Sequence, residues 1–506
     1  NPAVSGGTAV IALPSAPDGL NPLLFTSAAS GFVTSEIHAG LTEMATSLVY
    51  QPRLASHWDI GADRRSVTYY LRPWSWEDGH PVTAYDVVQS YRLFVDPQIA
   101  SPRRGRLAEV ASVVALDSST VRYTFVRPQA EPLARSWHHI LPSHVLDSLD
   151  VAAVGSWPIN NKPLSSGEFS LVSWEHNRSL VLARNPQYSG KAAYLSRVVF
   201  KILPEATTRL AALETGEVDL VYMVDPDAAQ RLERSGRIKI ARVGQRRFYY
   251  LLWNMENPLL ADRATRRALS FALDRELMLS TLLKGYGGVA NSPIPPALWN
   301  HHRGLPAIAY DPDRARSLLA DVGWRDSDGD GVIERDGRPF TMEIITRQGD
   351  PIRENCAVIL RAQLAAVGVR VSIRVMEQTA SLARARAGNF DAFLGLMNAN
   401  LFGNPAAYVS SAATDRYNYG HYASATVDSL LARATGILTR QEALPVWLRL
   451  QEELLADPPA AYLMYPDGLV AVSTRIQDAE PDLLSPVNNL ASWWIDPADR
   501  KYRESR

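Results

Sequence analysis

A single cysteine, Cys356, among 506 residues excludes an internal disulfide and any zinc or redox site built on paired thiolates. A surplus of charge is missing too. The chain carries 52 basic against 53 acidic side chains, a net of −1, so no general field gathers nucleic acid or an anionic membrane. No stretch approaches the roughly 18 consecutive apolar residues of a membrane span. Sequence repeats and low-complexity linkers are absent, and so are HExxH, GxSxG and the P-loop. Carboxylates are plentiful but show no pairing for acid–base work. His138-His139 and His301-His302 are adjacent in sequence, so on a regular element each pair points apart and makes poor joint ligands. These absences argue against an enzyme; a hydrolase is the different-class alternative. The chain begins at Asn1 and not at Met, which fits either a removed leader segment or a trimmed chain.

What is present suits a large α/β protein. The length exceeds one small core and calls for two or three domains. Gly7-Thr-Ala-Val-Ile-Ala-Leu-Pro14 is an apolar run stopped by proline and reads as a buried strand. Residues 67–72, 120–126, 198–203, 218–222, 340–346 and 369–375 are β-branched or aromatic and read as strands. Helical spacing runs over 83–94, with Thr83 as N-cap and Asp86 in the first turn. Further helices are expected over 206–214, ending near Gly216, over 263–282 as one long helix, over 313–322 before Gly323, and up to Val367 before Gly368. Strands alternating with helices indicate α/β layers, and two domains without a linker imply that the chain crosses between them more than once.

Several ordered motifs then carry a resemblance. Leu20-Asn-Pro22 is similar to an LNP element and Leu54-Ala-Ser-His-Trp58 to LAxxW. Trp76-Glu-Asp-Gly-His-Pro-Val-Thr-Ala-Tyr-Asp-Val-Val88 matches F/W-x-D-G-x-P-x-T-A-x-D-V. Residues 182–188 are similar to an RNPxY stretch, 206–219 to ATxxxAxxxGEVD, and 267–275 to RxAxxxAxDR. Each is weak alone; in this order and spacing, from about 20 to 463, they resemble family 5 of the bacterial extracellular solute-binding proteins, which includes oligopeptide-, dipeptide- and nickel-binding proteins of ABC importers. The plainer reading of each motif is scaffold. Asp78-Gly-His-Pro81 is a turn, each residue present for its backbone preference. Asp219 is expected to close a strand, and Asp274-Arg275 to form an ion pair, buried or at a hinge.

The resemblance implies an α/β fold of the two-lobed periplasmic-binding-protein kind, type II and of the large class, with an extra subdomain and a ligand cleft between lobes. It assigns 1–45, 165–245 and 470–506 to lobe I, 46–164 to the extra subdomain and 246–469 to lobe II, with hinges near 247–250 and 469–474. It implies a monomer that takes a peptide or other small solute and works with a membrane permease and an ATPase, without nucleic acid. The implied location is periplasmic or extracellular, with lipid anchoring as one form. A ligand sensor or a periplasmic chaperone on the same fold is the alternative role.

Family peptide binders carry a W-x-A-D-Y-x-D-P-like loop whose first Asp meets the peptide ammonium, because a desolvated ammonium needs a carboxylate. The matching stretch here is Met397-Asn-Ala-Asn-Leu-Phe-Gly-Asn-Pro405, with Asn400 where Asp is expected and Met397 and Leu401 in place of aromatics. No Asp or Glu occurs from Ala392 to Thr414, so a slipped alignment restores no carboxylate. Met397, Asn400, Phe402 and His421 are thus candidate ligand contacts on one wall. Arg103, Arg106, Arg135, Trp137 and His138 are candidates on the other, for a carboxylate or an apolar group. Tyr249 and Trp253 are candidates near a hinge. No cofactor is implied. Asp326, Asp328, Asp330 and Glu334 occupy positions 1, 3, 5 and 9 of a half EF-hand whose twelfth position is Gly337. This loop is either a structural calcium site or a turn held by its own side chains.

Overall fold

The computed structural model describes residues 3–413 and 417–501. In chain order the elements used below are β1 (Thr8–Leu13), α1 (Ala28–Ile37), β2 (Ala55–Ile60), β3 (Ser66–Leu71), α2 (Ala84–Val95), β4 (Val110–Ala115), β5 (Thr120–Phe125), β6 (Phe169–Glu175), β7 (Ser179–Arg184), β8 (Arg197–Ile202), α3 (Ala206–Glu214) and β9 (Leu220–Tyr222). Then come β10 (Arg247–Trp253), α4 (Arg263–Phe271), α5 (Arg275–Leu282), α6 (Pro312–Asp321), β11 (Thr341–Arg347), α7 (Pro351–Ala365), β12 (Arg370–Met376), β13 (Ala392–Asn398) and β14 (Ala460–Ser473). The chain divides into unit 1, Asn1–Val243 with Leu469–Arg506, and unit 2, Gly244–Gly468. No helix among the described residues is long and apolar enough to cross a membrane.

Unit 1 holds two larger sheets and two short two-stranded ones among the described residues. In the first, β1 runs parallel to β8 and to β9, while β7 and β6 add antiparallel strands beyond β8. The completely buried Ala9, Ile11, Leu180, Leu182, Val198 and Phe200 belong to the core on this sheet. Residues 55–125 hold the second, an antiparallel sheet in the order β2-β3-β5-β4. α2 covers it through Val87, Leu93 and Phe94, and Trp74 and Trp76 fill the same core. The start of α2 is fixed as its sequence demands: the Asp86 carboxylate takes the Thr83 N–H at 2.7 Å and the Thr83 hydroxyl at 3.1 Å.

Asp219 precedes β9 and does not close a strand. It is wholly buried and accepts a bidentate pair of bonds from Arg475, at 2.5 and 2.6 Å, as well as the Val10 N–H at 2.8 Å. This ties together three segments far apart in sequence, and a buried carboxylate needs such pairing.

The sheet of unit 2 runs β12-β11-β13-β10-β14, with β11 parallel to β12 and β13, and β10 antiparallel to β13 and β14. The long helix expected over 263–282 is two helices, α4 and α5. The break follows from capping: Asp274 accepts the Leu277 N–H at 2.9 Å and starts α5 afresh. Asp274-Arg275 therefore serves two separate purposes and not a mutual ion pair. The buried Arg275 guanidinium donates to the carbonyls of Ser270, Leu273 and Tyr462. Gly368, after α7, has φ +84°, and a Cβ there would meet Ile333 at 2.6 Å, so this helix end needs glycine on both counts.

Candidate ligand-binding site

β10 decides what the centre of the unit 2 sheet can offer. Its sequence, Arg-Phe-Tyr-Tyr-Leu-Leu-Trp, is apolar on both faces, so no alternation shows which side is which. In the fold, Tyr249, Leu251 and Trp253 enter the core. Phe248, Tyr250 and Leu252 face the other way and line a small, partly open hollow. Met397, opposite Phe248 in register on β13, lines it too, as do Tyr408, Tyr417, Pro459, Ala460 and Tyr462. Tyr249 and Trp253, expected near a hinge, do not line this hollow. Trp253 is 0% exposed and Tyr249 4%, both packed in the core, because adjacent strand residues point to opposite faces.

The hollow is aromatic and free of carboxylates. Phe248 packs against Tyr250, Tyr408 and Tyr462 at centroid distances of 5.6, 6.0 and 5.8 Å. Burial pushes the phenols of Tyr250, Tyr408 and Tyr462 upward, so each stays a neutral hydroxyl at ordinary pH. For Tyr408 burial outweighs a backbone hydrogen bond from Asn400 that acts the other way. Charge nearby is positive. Arg246 is partly desolvated beside Arg247, both of which lower its pKa, and it donates to the Ala399 carbonyl at 2.6 Å.

The loop after β13 is built on side-chain amides. Asn400, exposed, accepts the Phe402 N–H at 2.8 Å through Oδ1, and Asn404 accepts the Ala406 N–H at 2.9 Å. Buried Asn300 donates to the Gly403 carbonyl at 3.0 Å, and Trp299 donates to that of Phe402 at 3.2 Å. Phe402 is half-buried on this loop, where its backbone is held at both ends. His421 lies 3.6 Å from Glu256 and against Gly388, neither of which lines the hollow. Asn418 staples its own turn by bonds to Ser410 and Tyr422.

In unit 1 the candidates separate by exposure. Arg135 and Arg106 are exposed. Arg103 stacks on the Phe25 ring at 3.7 Å, donates to the Phe25 carbonyl, and is lowered to about 10 by desolvation and by Arg106. Trp137 is half-buried and donates to the Thr42 carbonyl at 3.1 Å. His138 is interior: Nε2 meets the Tyr123 hydroxyl at 2.7 Å, Nδ1 meets the His139 carbonyl at 2.9 Å, and burial lowers it to about 4. Both ring nitrogens of His138 are thus engaged within the core.

Asp326, Asp328, Asp330 and Glu334 do converge, with donor atoms within 4.8 Å of one another. The carboxylates also serve the loop itself. Asp326 takes the N–H groups of Gly329 and Gly331, Asp328 that of Asp330, Asp330 that of Val332, and Glu334 that of Ser327. Arg370 pairs with Asp330 at 3.0 Å. Four oxygen donors fit a hard cation, but one of the four carboxylates is already neutralised.

Residues 49–420 match the model of the bacterial extracellular solute-binding proteins, family 5 Middle. The oligopeptide-binding protein AppA of Bacillus subtilis is 27% identical over 504 residues, covering 97% of this chain and 92% of that protein. The structure of AppA from Bacillus subtilis in complex with a nonapeptide aligns over 98% of this chain and 100% of that one, at 26% identity and a TM-score of 0.71. NikZ from Campylobacter jejuni, in complex with Ni(L-His), aligns over 96% and 99%, at 25% identity and a TM-score of 0.74.

Proposed function

This chain belongs to family 5 of the bacterial extracellular solute-binding proteins, and from that premise we propose that it captures a small solute outside the cytoplasm for an ABC importer. Its partners on this reading are a membrane permease and an ATPase, and its place is the periplasm or the outer face of the cell membrane. The similarity to oligopeptide-binding AppA supports a peptide-like cargo, and that to NikZ supports a small chelate as the second cargo class.

One observation carries the ligand reading: the unit 2 hollow is lined by four tyrosines, a phenylalanine and a methionine, with no carboxylate. Such a surface suits an apolar or aromatic group with neutral hydrogen-bonding edges. It does not neutralise an ammonium. Asn400 stands where the family's aspartate is expected, and its amide oxygen is already engaged by the Phe402 N–H. The preferred cargo on this reading has no free terminal ammonium at this wall. Charge-assisted bonds contribute about 1.5–3 kcal/mol against about 1 for neutral ones, a difference of roughly 2- to 30-fold in affinity.

The test is a matched set of short peptides carrying an aromatic residue, free and N-acetylated, titrated by calorimetry against wild type and Asn400→Asp. Acetylated forms should bind wild type at least as well as free ones, and Asn400→Asp should shift preference to the free amine by about 2- to 30-fold. Tight binding of free peptides to wild type, unchanged by the substitution, would refute the reading. The acidic loop at 326–334 is proposed as a weak structural calcium site with no part in capture.

A further inference from the structure

The turn at 76–81 carries more than its backbone shape. Trp76, 0% exposed, anchors it in the core, and the Trp76 N–H donates to the His80 carbonyl at 2.8 Å. Asp78 Oδ1 accepts the His80 N–H at 3.0 Å, which leaves Oδ2 for other partners. Two imidazoles address that one oxygen: His80 Nδ1 at 3.2 Å and His144 Nε2 at 2.9 Å. The two rings are stacked, 4.3 Å apart and 20° from parallel. All three donor atoms lie within 4.8 Å of one another, and all three residues are exposed. His144 comes from a separate segment, held in place because Asp86 Oδ1 accepts both the N–H and the hydroxyl of Ser143 at 2.8 Å.

We infer that Asp78, His80 and His144 form a binding site for a borderline divalent transition-metal cation, with zinc as the type. Bonds of about 2.0–2.1 Å in a tetrahedron set neighbouring donors about 3.3 Å apart, near the two spacings already in place. A simple ion pair would need one imidazole at the carboxylate oxygen; here two converge on it from separate segments. Two nitrogens and one oxygen select zinc and its neighbours over calcium or magnesium, which prefer all-oxygen sites. Because the ligands are on the surface, water completes the coordination. The bound ion would clamp the turn at 76–81 to the segment beginning at Ser143.

Untagged full-length protein is titrated with Zn²⁺ by calorimetry, in the presence of millimolar Ca²⁺, and with Co²⁺ by visible absorbance. One saturable Zn²⁺ site is expected, with Co²⁺ showing imidazole-ligated bands. His80→Ala and His144→Ala should each weaken Zn²⁺ at least about tenfold, and Asp328→Ala should leave it unchanged. Circular dichroism checks that each variant keeps its fold; His80, whose side chain is 60% exposed, is the decisive one if His144→Ala unfolds. Absence of saturable Zn²⁺ binding, or wild-type affinity in folded His80→Ala, overturns the assignment, as does loss of the site in Asp328→Ala.

Discussion

In unit 1 the imidazoles of His38, His138 and His139 and the carboxyl of Glu36 lie almost wholly out of water. In unit 2 the deeply buried ionisable side chains, among the described residues, are guanidiniums, phenols and the thiol of Cys356. The two sets answer differently to pH. Burial lowers His38 to about 3 and His138 to about 4, lowers His139 well below the usual imidazole range, and raises Glu36 well above its usual range. Burial instead leaves Arg275 at about 10 and pushes the unit 2 phenols up, so neither kind changes charge between pH 5 and 8. The buried imidazoles make unit 1 sensitive to acid, while the buried phenols around the unit 2 hollow keep one protonation state.

The largest effect should come from uncovering a buried charge. Arg475→Ala leaves the Asp219 carboxylate, whose side chain is 1% exposed, without its main partner and should cost unit 1 about 3–5 kcal/mol. The matched change in unit 2, Arg275→Met, leaves only carbonyls unpaired and should cost less. Urea denaturation of both variants checks this; an equal loss would break the contrast.

Acid offers a sharper test. As pH falls from about 6.5 towards 4, the unfolded chain takes protons that buried, neutral His38 and His138 refuse, so each contributes a loss of stability over that window. Glu36 acts oppositely, since its folded form holds a proton and its contribution is lost as pH rises above the usual carboxyl range. A single substitution isolates one group. The ring nitrogens of His38 have no hydrogen-bond partner among the described residues, so His38→Leu should be neutral or stabilising at pH 7.5. Below pH 6.5 its advantage over wild type should grow by about 1.4 kcal/mol per pH unit, down to about pH 4. Parallel unfolding curves for the two proteins at pH 7.5, 6 and 5 would contradict this.

The smallest effect is expected at the acidic loop of unit 2. Asp328→Ala should change stability by no more than about 0.5 kcal/mol, because the residue is exposed and caps one turn. Calcium should bind wild type with a Kd of about 10⁻⁴ to 10⁻³ M or weaker, and more weakly still in the variant. Tight binding that survives the substitution would place the ion elsewhere.

Much of the framework is legible in the chain itself, because local preferences and tertiary packing agree there. β1, β3, β5, β8 and β11 fall where apolar or alternating runs lie, and α3, α6 and α7 stop where glycine follows. The family motifs, dense in turn and cap residues such as Asp78, Thr83 and Asp86, were readable for the same reason. Sequence also determined that the loop at 397–405 offers no carboxylate. Three things were decided only by tertiary structure. The split of 263–282 depended on whether Asp274 caps or pairs, and its partner at Leu277 is visible only in the fold. The parity of β10 depended on which face the core covers, since a strand apolar on both sides carries no label of its own; Tyr250 lines the hollow and Tyr249 does not. The meeting of Asp78 and His80 with His144 depended on packing two segments more than sixty residues apart, and no local pattern encodes a distance of 2.9 Å between side chains from separate segments.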